Sequence, residues 1–167
     1  MHIRTETPGD EDAIDRVTTL AFEAGSHSDH TEARIVRELR AAGDLTLSLV
    51  AEADGELVGH IAFSPVAVDG KHDGWYGLGP LSVRPDRQDH GFGSALVEQG
   101  LAILRDRGAR GCALLGSPDF YARFGFASDR TLSYGSVPAR FIQAVVFTGA
   151  RPSGELSYAS AFDLAGS

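Results

Sequence analysis

The sequence predicts a single α+β domain, spanning residues 1–167, in which a mixed, mostly antiparallel central sheet is flanked by helices. Residues 47–63 predict the antiparallel part, because two apolar runs flank Asp54-Gly55, a strong signal for a hairpin turn. Residues 81–115 predict a parallel part, because strand, helix and strand follow one another and a helical crossover joins parallel strands. A chain of 167 residues is long enough to bury one core.

The N-terminal segment is expected to form one strand and two helices. The strand covers His2 to Thr5. The first helix begins at Thr7-Pro8, with the threonine as N-cap and the proline at the first helical position. A second helix begins between residues 29 and 32, and Gly43 stands at its expected C-terminal stop.

Strands and helices alternate over the rest of the chain. Pro65 is expected to mark the end of full strand pairing or an edge position, because proline has no N–H to donate. Two closing strands are expected to pair across the connection 149–154. The predicted elements are strands at 47–51, 57–63, 75–83 and 111–115, a helix from Gly91 to Gly108, a short helix from Pro118 to Gly125, and the closing strands 141–147 and 155–159.

The most informative stretch runs from Pro80 to Leu96 and reads as strand, turn, glycine loop and helix. Gly91 and Gly93 lack the Cβ atoms that would keep a ligand off the backbone, and their dihedral freedom lets several N–H groups point at one place. The first turn of the helix adds unpaired N–H groups and the positive end of its dipole. This stretch therefore predicts an anion site, typically for a phosphate, with Arg84, Arg87 and His90 as neighbouring positive groups.

Two common phosphate loops are excluded by the sequence. A dinucleotide fingerprint needs a third glycine at position 96, which is leucine. A Walker loop needs Gly-Lys followed by Ser or Thr, and that tripeptide does not occur. What remains is Gln88-x-x-Gly91-x-Gly93 directly after the strand Leu81-Ser82-Val83. That combination resembles the acetyl-CoA signature of the GCN5-related N-acetyltransferase (GNAT) superfamily, whose Q/R-x-x-G-x-G/A loop holds the cofactor pyrophosphate.

A second motif lies about 30 residues further on. Phe120-Tyr121 followed by Gly125-Phe126 is similar to the F-Y-x-x-x-G-F motif of acetyltransferases. From the residues alone, an aromatic core is the simpler interpretation. With Leu-Gly-Pro-Leu at residues 78–81 before the loop, the pattern looks like the bacterial YhbS-type branch of the superfamily.

The resemblance implies a GNAT fold in three α/β/α layers and acetyl transfer from acetyl-CoA to an amine. It also implies that the hydroxyl of Tyr121, the expected catalytic residue, protonates the departing thiolate. Backbone groups of the strand before the loop would hold the pantetheine arm, and N–H groups of the loop would hold the pyrophosphate. The implied cofactor-binding residues are Leu81, Ser82, Val83, Gln88, Asp89, His90, Gly91, Phe92, Gly93, Ser94 and Tyr121.

The base that takes the amine proton is left open. Some family members carry a glutamate on the strand leading to the loop, but residues 75–79 contain no carboxylate. The alternatives are a water chain, Glu23, His27, Asp29 or His60. No metal is predicted, because no further strong ligand follows residues 27–30 at a characteristic spacing.

Two other functions remain open. One is a domain that binds acyl-CoA without turnover, as a sensor or structural partner; the other is a nucleotide-phosphate binder of unrelated fold, which would leave the motif around Tyr121 unexplained. The acceptor is not identified, nor is the use of longer acyl groups. Its pocket is expected in the loops 22–31, 63–75 and after Ser128.

Composition limits the partners and the compartment. With 23 acidic against 15 basic residues and no basic run, the chain is not expected to bind nucleic acid. A hydrophobic content of 43% without an apolar run of roughly 18 residues argues against a membrane partner. One cysteine and no visible signal peptide fit the cytoplasm. A homodimer is compatible with the sequence, and the acidic remainder weakly favours a cationic acceptor such as an amine.

Overall fold

The structure is a computed structural model that describes residues 1–24 and 30–166, with side chains to residue 163. The strands are β1 His2–Thr5, β2 Leu47–Ala53, β3 Glu56–Val68, β4 Trp75–Val83, β5 Gly111–Leu115, β6 Leu132–Ser133, β7 Ile142–Val146 and β8 Gly154–Tyr158. The α-helices are α1 Glu11–Glu23, α2 Glu32–Ala42, α3 Phe92–Asp106 and α4 Pro118–Tyr121. Short 3-10 turns are Pro8–Asp10, Pro85–Arg87, Ala122–Phe124, Ala139–Phe141 and Ser160–Gly166.

The predicted mixed, mostly antiparallel sheet flanked by helices is confirmed. Its strand order is β1-β2-β3-β4-β5-β7, and β8 pairs with β3 and β6. The crossover through α3 makes β4 and β5 parallel, with Trp75 opposite Gly111. The hairpin turn between β2 and β3 is also confirmed, because Asp54 and Gly55 both have positive φ values, 54° and 78°.

The contacts of the chain group it into two compact units. The first comprises Met1–Ser64, Gly79–Gly100 and Ala159–Ser167, and the second comprises Pro65–Leu78 and Leu101–Tyr158. The prediction of one domain over residues 1–167 stays a prediction.

In the first unit, α1 and α2 pack on one face of the strands. Ile14, Val36 and Val50 form a buried cluster there. Val50 lies directly opposite His60 in the ladder of β2 and β3, so His60 points to the same face. The imidazole ring of His60 therefore lies on the sheet face that α1 and α2 cover, among apolar side chains.

The beginning of α3 packs against β3 in the same unit through two glycines. A Cβ atom on Gly59 would lie 3.1 Å from Leu96 Cδ1, and one on Gly100 would lie 2.5 Å from Phe63 Cζ. An alanine at position 100 would therefore clash with the Phe63 ring, whereas one at position 59 would require Leu96 to move by only a few tenths of an ångström.

The second unit has its own core. The ring of Trp75 packs tightly enough that a Cβ on Gly111 would lie 2.6 Å from its Cζ3 atom. The buried members are Val66, Trp75, Ala113, Leu132, Ile142, Ala144 and Leu156.

The sequence prediction for Pro65 was incomplete. β3 does not end there but runs on to Val68, because it changes partners near the proline. Up to Phe63 it pairs with β2, and from Val66 it pairs with β8. A residue without an N–H lies at the point where the ladder passes from one partner to the other.

The expected pairing of the two closing strands was wrong. β7 pairs antiparallel with β5, whereas β8 pairs with the end of β3 and with β6. The length of β3 explains the difference, because its extension beyond Pro65 offers β8 a partner that the sequence pattern did not reveal.

Candidate active site

The predicted pantetheine strand is the end of β4. Leu81 and Val83 are half-buried and Ser82 is buried, so successive residues alternate between two environments. The hydroxyl of Ser82 is buried without a hydrogen-bond partner among the residues that the structure describes. Backbone groups on a strand end can pair with an added strand-like ligand.

Gln88 braces the turn that follows β4. Its side-chain Nε2 donates a hydrogen bond to the backbone oxygen of Val83 at 3.1 Å. Its own backbone oxygen lies 2.8 Å from His90 Nδ1, which must carry a proton because a carbonyl only accepts. One residue thus ties the strand end to the loop.

The loop turns through two left-handed residues into α3. Asp89 has φ 65° and Gly91 has φ 85°. The Ala95 N–H donates to the Gly91 oxygen at 3.1 Å, which closes the first helical turn. Phe92, only 7% exposed, anchors the helix start. The N–H groups of Phe92 and Gly93 precede that first bond, as expected for an anion site at a helix N-terminus.

The two arginines beside the loop are paired. Arg84 donates to Asp86 Oδ1 at 2.6 Å and to Glu56 Oε2 at 2.9 Å, and Arg87 donates to Asp54 Oδ2 at 3.1 Å. The sequence predicted both as positive groups next to the loop. Because these pairs are exposed and such pairs contribute little, an incoming polyanion can compete for the arginines. The helix end adds its own positive potential.

Tyr121 lies at the end of α4 in the second unit. Its ring packs edge-on against Phe120, with 4.8 Å between centroids, and against Phe126 at 5.8 Å. A Cβ on Gly116 would lie 2.8 Å from Tyr121 Cε2, so the glycine makes room for the ring. Burial raises the pKa of Tyr121 to about 12. Its hydroxyl is therefore protonated at neutral pH and able to donate a proton.

The candidate bases have different surroundings. His27 and Asp29 lie outside the described residues, and Glu23 is exposed at the end of α1. His60 is fully buried, and its Nε2 atom lies 2.7 Å from the hydroxyl of Ser48. Burial lowers the pKa of His60 to about 4, so the ring is neutral at pH 7.

A buried polar chain continues beyond His60, and its other members were missed from the sequence. The Ser48 hydroxyl makes a short hydrogen bond to Glu6 Oε1. The guanidinium of Arg40 donates to both carboxylate oxygens of Glu6, each at 3.0 Å. The available signal was one serine and one histidine inside the apolar runs of β2 and β3; Glu6 and Arg40 are too distant in sequence to form a motif with them.

A cavity of about 320 Å³ in the second unit includes part of the segment expected to line the acceptor pocket. Arg130 and Arg140 lie on its wall, beside the apolar ring of Phe126 and the amide of Gln143. Gln143 is held by a hydrogen bond from its Nε2 to the backbone oxygen of Gly116, at 3.0 Å.

Residues 1–24 and 30–166 offer neither a metal site nor a membrane-spanning helix. In that part of the chain, no three His, Cys, Asp or Glu side chains are grouped so that they could hold a metal ion. No helix of the same part is long and apolar enough to cross a membrane.

Known proteins resemble the chain in sequence and in fold. A family model described as the acetyltransferase (GNAT) family matches residues 13–126. YhbS of Escherichia coli (strain K12), named an uncharacterized N-acetyltransferase, is 41% identical over 127 residues, which are 75% of this chain and 73% of YhbS.

Two crystal structures are close to the whole chain. A GNAT family acetyltransferase from Brucella melitensis in complex with acetyl-CoA has a TM-score of 0.88 and 49% identity, covering 97% of each chain. Escherichia coli YhbS in complex with CoA has a TM-score of 0.87 and 32% identity, covering 97% of this chain and 91% of that chain.

Proposed function

This chain belongs to the GNAT acetyltransferase family, and on that premise we propose that it transfers the acetyl group of acetyl-CoA directly to an amine of a small molecule or peptide. The observation that carries the proposal is the segment from Leu81 to Ser94. A strand end, a turn braced by the bond from Gln88 to Val83, and a glycine turn into α3 follow one another in the first unit. The complexes of two relatives with acetyl-CoA and CoA support the choice of cofactor.

Each part of this segment has a proposed task. Backbone groups of Leu81 and Val83, with Ser82 between them, hold the pantetheine arm in the manner of an added strand. The pyrophosphate binds the N–H groups from Gln88 to Ser94, because the helix end and the left-handed loop direct several donors at an anion. Arg84 and Arg87, which lie beside the loop, exchange their ion pairs with Glu56 and Asp54 for contacts with the cofactor phosphates.

The chemistry needs no covalent enzyme intermediate. The neutral amine nitrogen attacks the thioester carbonyl carbon, the C–N bond forms and the C–S bond breaks. Tyr121 gives its proton to the leaving sulfur, and a base removes one proton from nitrogen. Holding both substrates side by side supplies much of the acceleration. Burial raises the pKa of Tyr121 to about 12, so its hydroxyl still carries the proton at neutral pH.

For the acceptor we propose only an amine. The cavity with Arg130 and Arg140 is a candidate for part of its pocket, since the segment after Ser128 was expected to contribute. No metal is required by the proposed mechanism. A single domain, cytoplasmic location and homodimer remain predictions of this proposal.

Titration calorimetry with acetyl-CoA, CoA and ATP tests the cofactor. Heat with both CoA compounds and none with ATP is expected; heat with ATP alone would favour a nucleotide binder, and no heat with any acyl-CoA would overturn the proposal. Thiol release is then measured with polyamines, amino acids, aminoglycosides and peptide N-termini. Binding without release across that panel would favour the acyl-CoA sensor.

The Tyr121→Phe variant tests the acid. We expect kcat to fall roughly 100-fold, the lower end of the range for general acid catalysis, with nearly unchanged affinity for acetyl-CoA. Unchanged turnover would remove Tyr121 from the acid role.

A further inference from the structure

Four side chains of the first unit form a continuous hydrogen-bonded chain beneath α1 and α2. Arg40 on α2 donates two bonds to Glu6, Glu6 accepts from Ser48 on β2, and Ser48 contacts His60 Nε2 on β3. His60 is 0% exposed and Ser48 is 5% exposed, whereas the side chain of Glu6 is 15% exposed. The chain therefore leads from a fully buried ring to a carboxylate near solvent.

The donors and acceptors of this chain determine the tautomer of His60. An ionised carboxylate can only accept hydrogen bonds, so the Ser48 hydroxyl must donate its one proton to Glu6. The Ser48 oxygen must then accept from His60 Nε2–H, at 2.7 Å. A neutral ring protonated on Nε2 leaves a bare lone pair on Nδ1.

That Nδ1 atom is buried and has no hydrogen-bond partner among the described residues. A purely structural network would be expected to satisfy both ring nitrogens, because a buried polar atom without a partner is destabilising. Two contacts align β4 with β3 here: the Arg84 N–H donates to the Val58 oxygen at 2.8 Å, and a Cβ added to Gly59 would lie 3.3 Å from the Ser82 oxygen. Two residues further inward, Ser82 lies opposite His60, and its hydroxyl is also buried without a partner.

We propose that Glu6, Ser48 and His60 form a proton relay that removes the proton from the acceptor nitrogen. The relay rests on the proposed acetyl transfer, because Ser82 belongs to the strand expected to hold the pantetheine arm. A water between His60 Nδ1 and the Ser82 hydroxyl would have two polar partners and would link the relay to that strand. His60 is a positioning and relay residue here, since it reaches the amine through that water.

The proton leaves the acceptor nitrogen by a series of transfers between neighbouring groups. After the C–N bond forms, the nitrogen gives a proton to the water, which passes one to His60 Nδ1. The Nε2 proton moves to the Ser48 oxygen, and the Ser48 proton moves to the Glu6 carboxylate. Glu6 returns it to solvent. After the products leave, the ring regains its first tautomer: Glu6 takes a proton from solvent and passes it through Ser48 to Nε2, while Nδ1 releases its proton to the water that replaces the products. No electrons are exchanged, and the imidazole never needs to hold a net charge.

The electrostatics of the first unit favour such a concerted transfer. Burial, opposed by the negative charge of Glu6 and assisted by the positive charge of Arg40, lowers the pKa of His60 to about 4. The charged, doubly protonated ring is therefore disfavoured. A transfer in which one proton reaches Nδ1 while another leaves Nε2 keeps the ring neutral and avoids this cost. The charged groups around the relay are Glu6, Arg40, Glu11 at 3.3 Å from Arg40, and Asp15, which also acts on Arg40.

Histidine ¹⁵N NMR tests the tautomer without any acceptor. At pH 7 the His60 signals, assigned by their loss in His60→Gln, should report a protonated Nε2 and a bare Nδ1. Ser48→Ala should produce a mixture of tautomers. A proton on Nδ1 in the wild type would overturn the relay.

Thiol release with an accepted amine tests the catalytic role. In Ser48→Ala and Glu6→Gln, we expect kcat to fall roughly 100-fold, with an unchanged KM for acetyl-CoA and a reduced solvent deuterium isotope effect. Ser48→Thr should recover most of the rate. The control is Ser64→Ala, which removes a buried hydroxyl without a partner outside the relay and should keep the wild-type rate.

The outcomes separate the two proposals. If the wild type turns over and Ser48→Ala matches it in rate and isotope effect, the relay is overturned and acetyl transfer stands. If the wild type binds CoA but releases no thiol with any amine of the panel, acetyl transfer fails and the relay fails with it.

Discussion

The side chain of Gln88 donates a hydrogen bond to the backbone oxygen of Val83, with 3.1 Å between the two atoms. The bond spans the 3-10 turn Pro85–Arg87, which separates β4 from the loop. A strand expected to hold one part of acetyl-CoA is thereby coupled to a loop expected to hold another.

Replacing Gln88 by alanine should weaken CoA binding. A neutral hydrogen bond contributes about 0.5–1.5 kcal/mol, so we expect Kd to rise about 2- to 12-fold. Titration calorimetry with CoA measures the change. Gln99→Ala, on the exposed side of α3, is the control and should leave Kd unchanged. Equal affinities in the wild type and Gln88→Ala would contradict the bracing role.

Gly91→Ala should damage binding through the backbone. Gly91 has φ 85° with open space around it, so the variant suffers conformational strain of about 1–2 kcal/mol without a clash. Gly108→Ala at φ 88°, also in open space, carries the same strain at the other end of α3. Both should unfold at lower urea concentration, but only Gly91→Ala should lose CoA affinity. Equal CoA affinities in the two variants would argue against the loop as the pyrophosphate site.

The loss of activity caused by deprotonation of Tyr121 should occur only at high pH. With its pKa raised to about 12 by burial, the hydroxyl stays protonated through pH 10. The kcat of the wild type should therefore show no loss from Tyr121 ionisation between pH 7 and 10. A fall with a midpoint in that range that disappears in Tyr121→Phe would contradict this assignment.

His60 should make stability depend on pH. Its pKa is lowered from 6.5 to about 4, so between these values the unfolded chain binds a proton that the folded chain does not. Its stabilising contribution is present above pH 6.5 and is lost as the pH falls toward 4, by up to about 3 kcal/mol.

Urea unfolding at several pH values measures this slope. His60→Gln should flatten it in the window from pH 6.5 to 4, whereas exposed His2→Gln should retain it. A wild-type free energy of unfolding that is constant over this window would show that His60 titrates normally.

Gly100→Ala should destabilise the fold because its Cβ would lie 2.5 Å from Phe63 Cζ. Overpacking of this kind costs about 1–3 kcal/mol. Thermal unfolding measures the loss. The double variant Gly100→Ala with Phe63→Leu should lose less stability than the sum of the losses in the two single variants. If the losses simply add, the helix and the strand separate locally and the ring does not clash with the new methyl group.

Much of the fold was predictable because its signals are local. Gly43 does end α2, with a left-handed φ of 78°, and Asp54-Gly55 does form the hairpin turn. Gly125, at φ 94°, closes the segment after α4, although the second half of that segment tightens to a 3-10 turn. Each of these residues dictates backbone geometry at its own position.

What the sequence did not predict depends on distant partners. The change of partner at Pro65 and the separate pairings of β7 and β8 follow from the length of β3, which no local pattern reports. For the candidate site, the left-handed turn at Gly91 was predictable from glycine itself. The bond from Gln88 to Val83 and the chain from Arg40 to His60 required coordinates, because they join different elements.

The buried position of Cys112 has a practical consequence. It is the one cysteine of the sequence, it is 0% exposed, and burial raises the pKa of its thiol above the usual range. A disulfide dye such as Ellman's reagent attacks thiolates, so the folded protein should contribute almost no colour of its own. Enzyme can then be used at concentrations comparable to the cofactor, and even a sluggish acceptor would be detectable within a few turnovers.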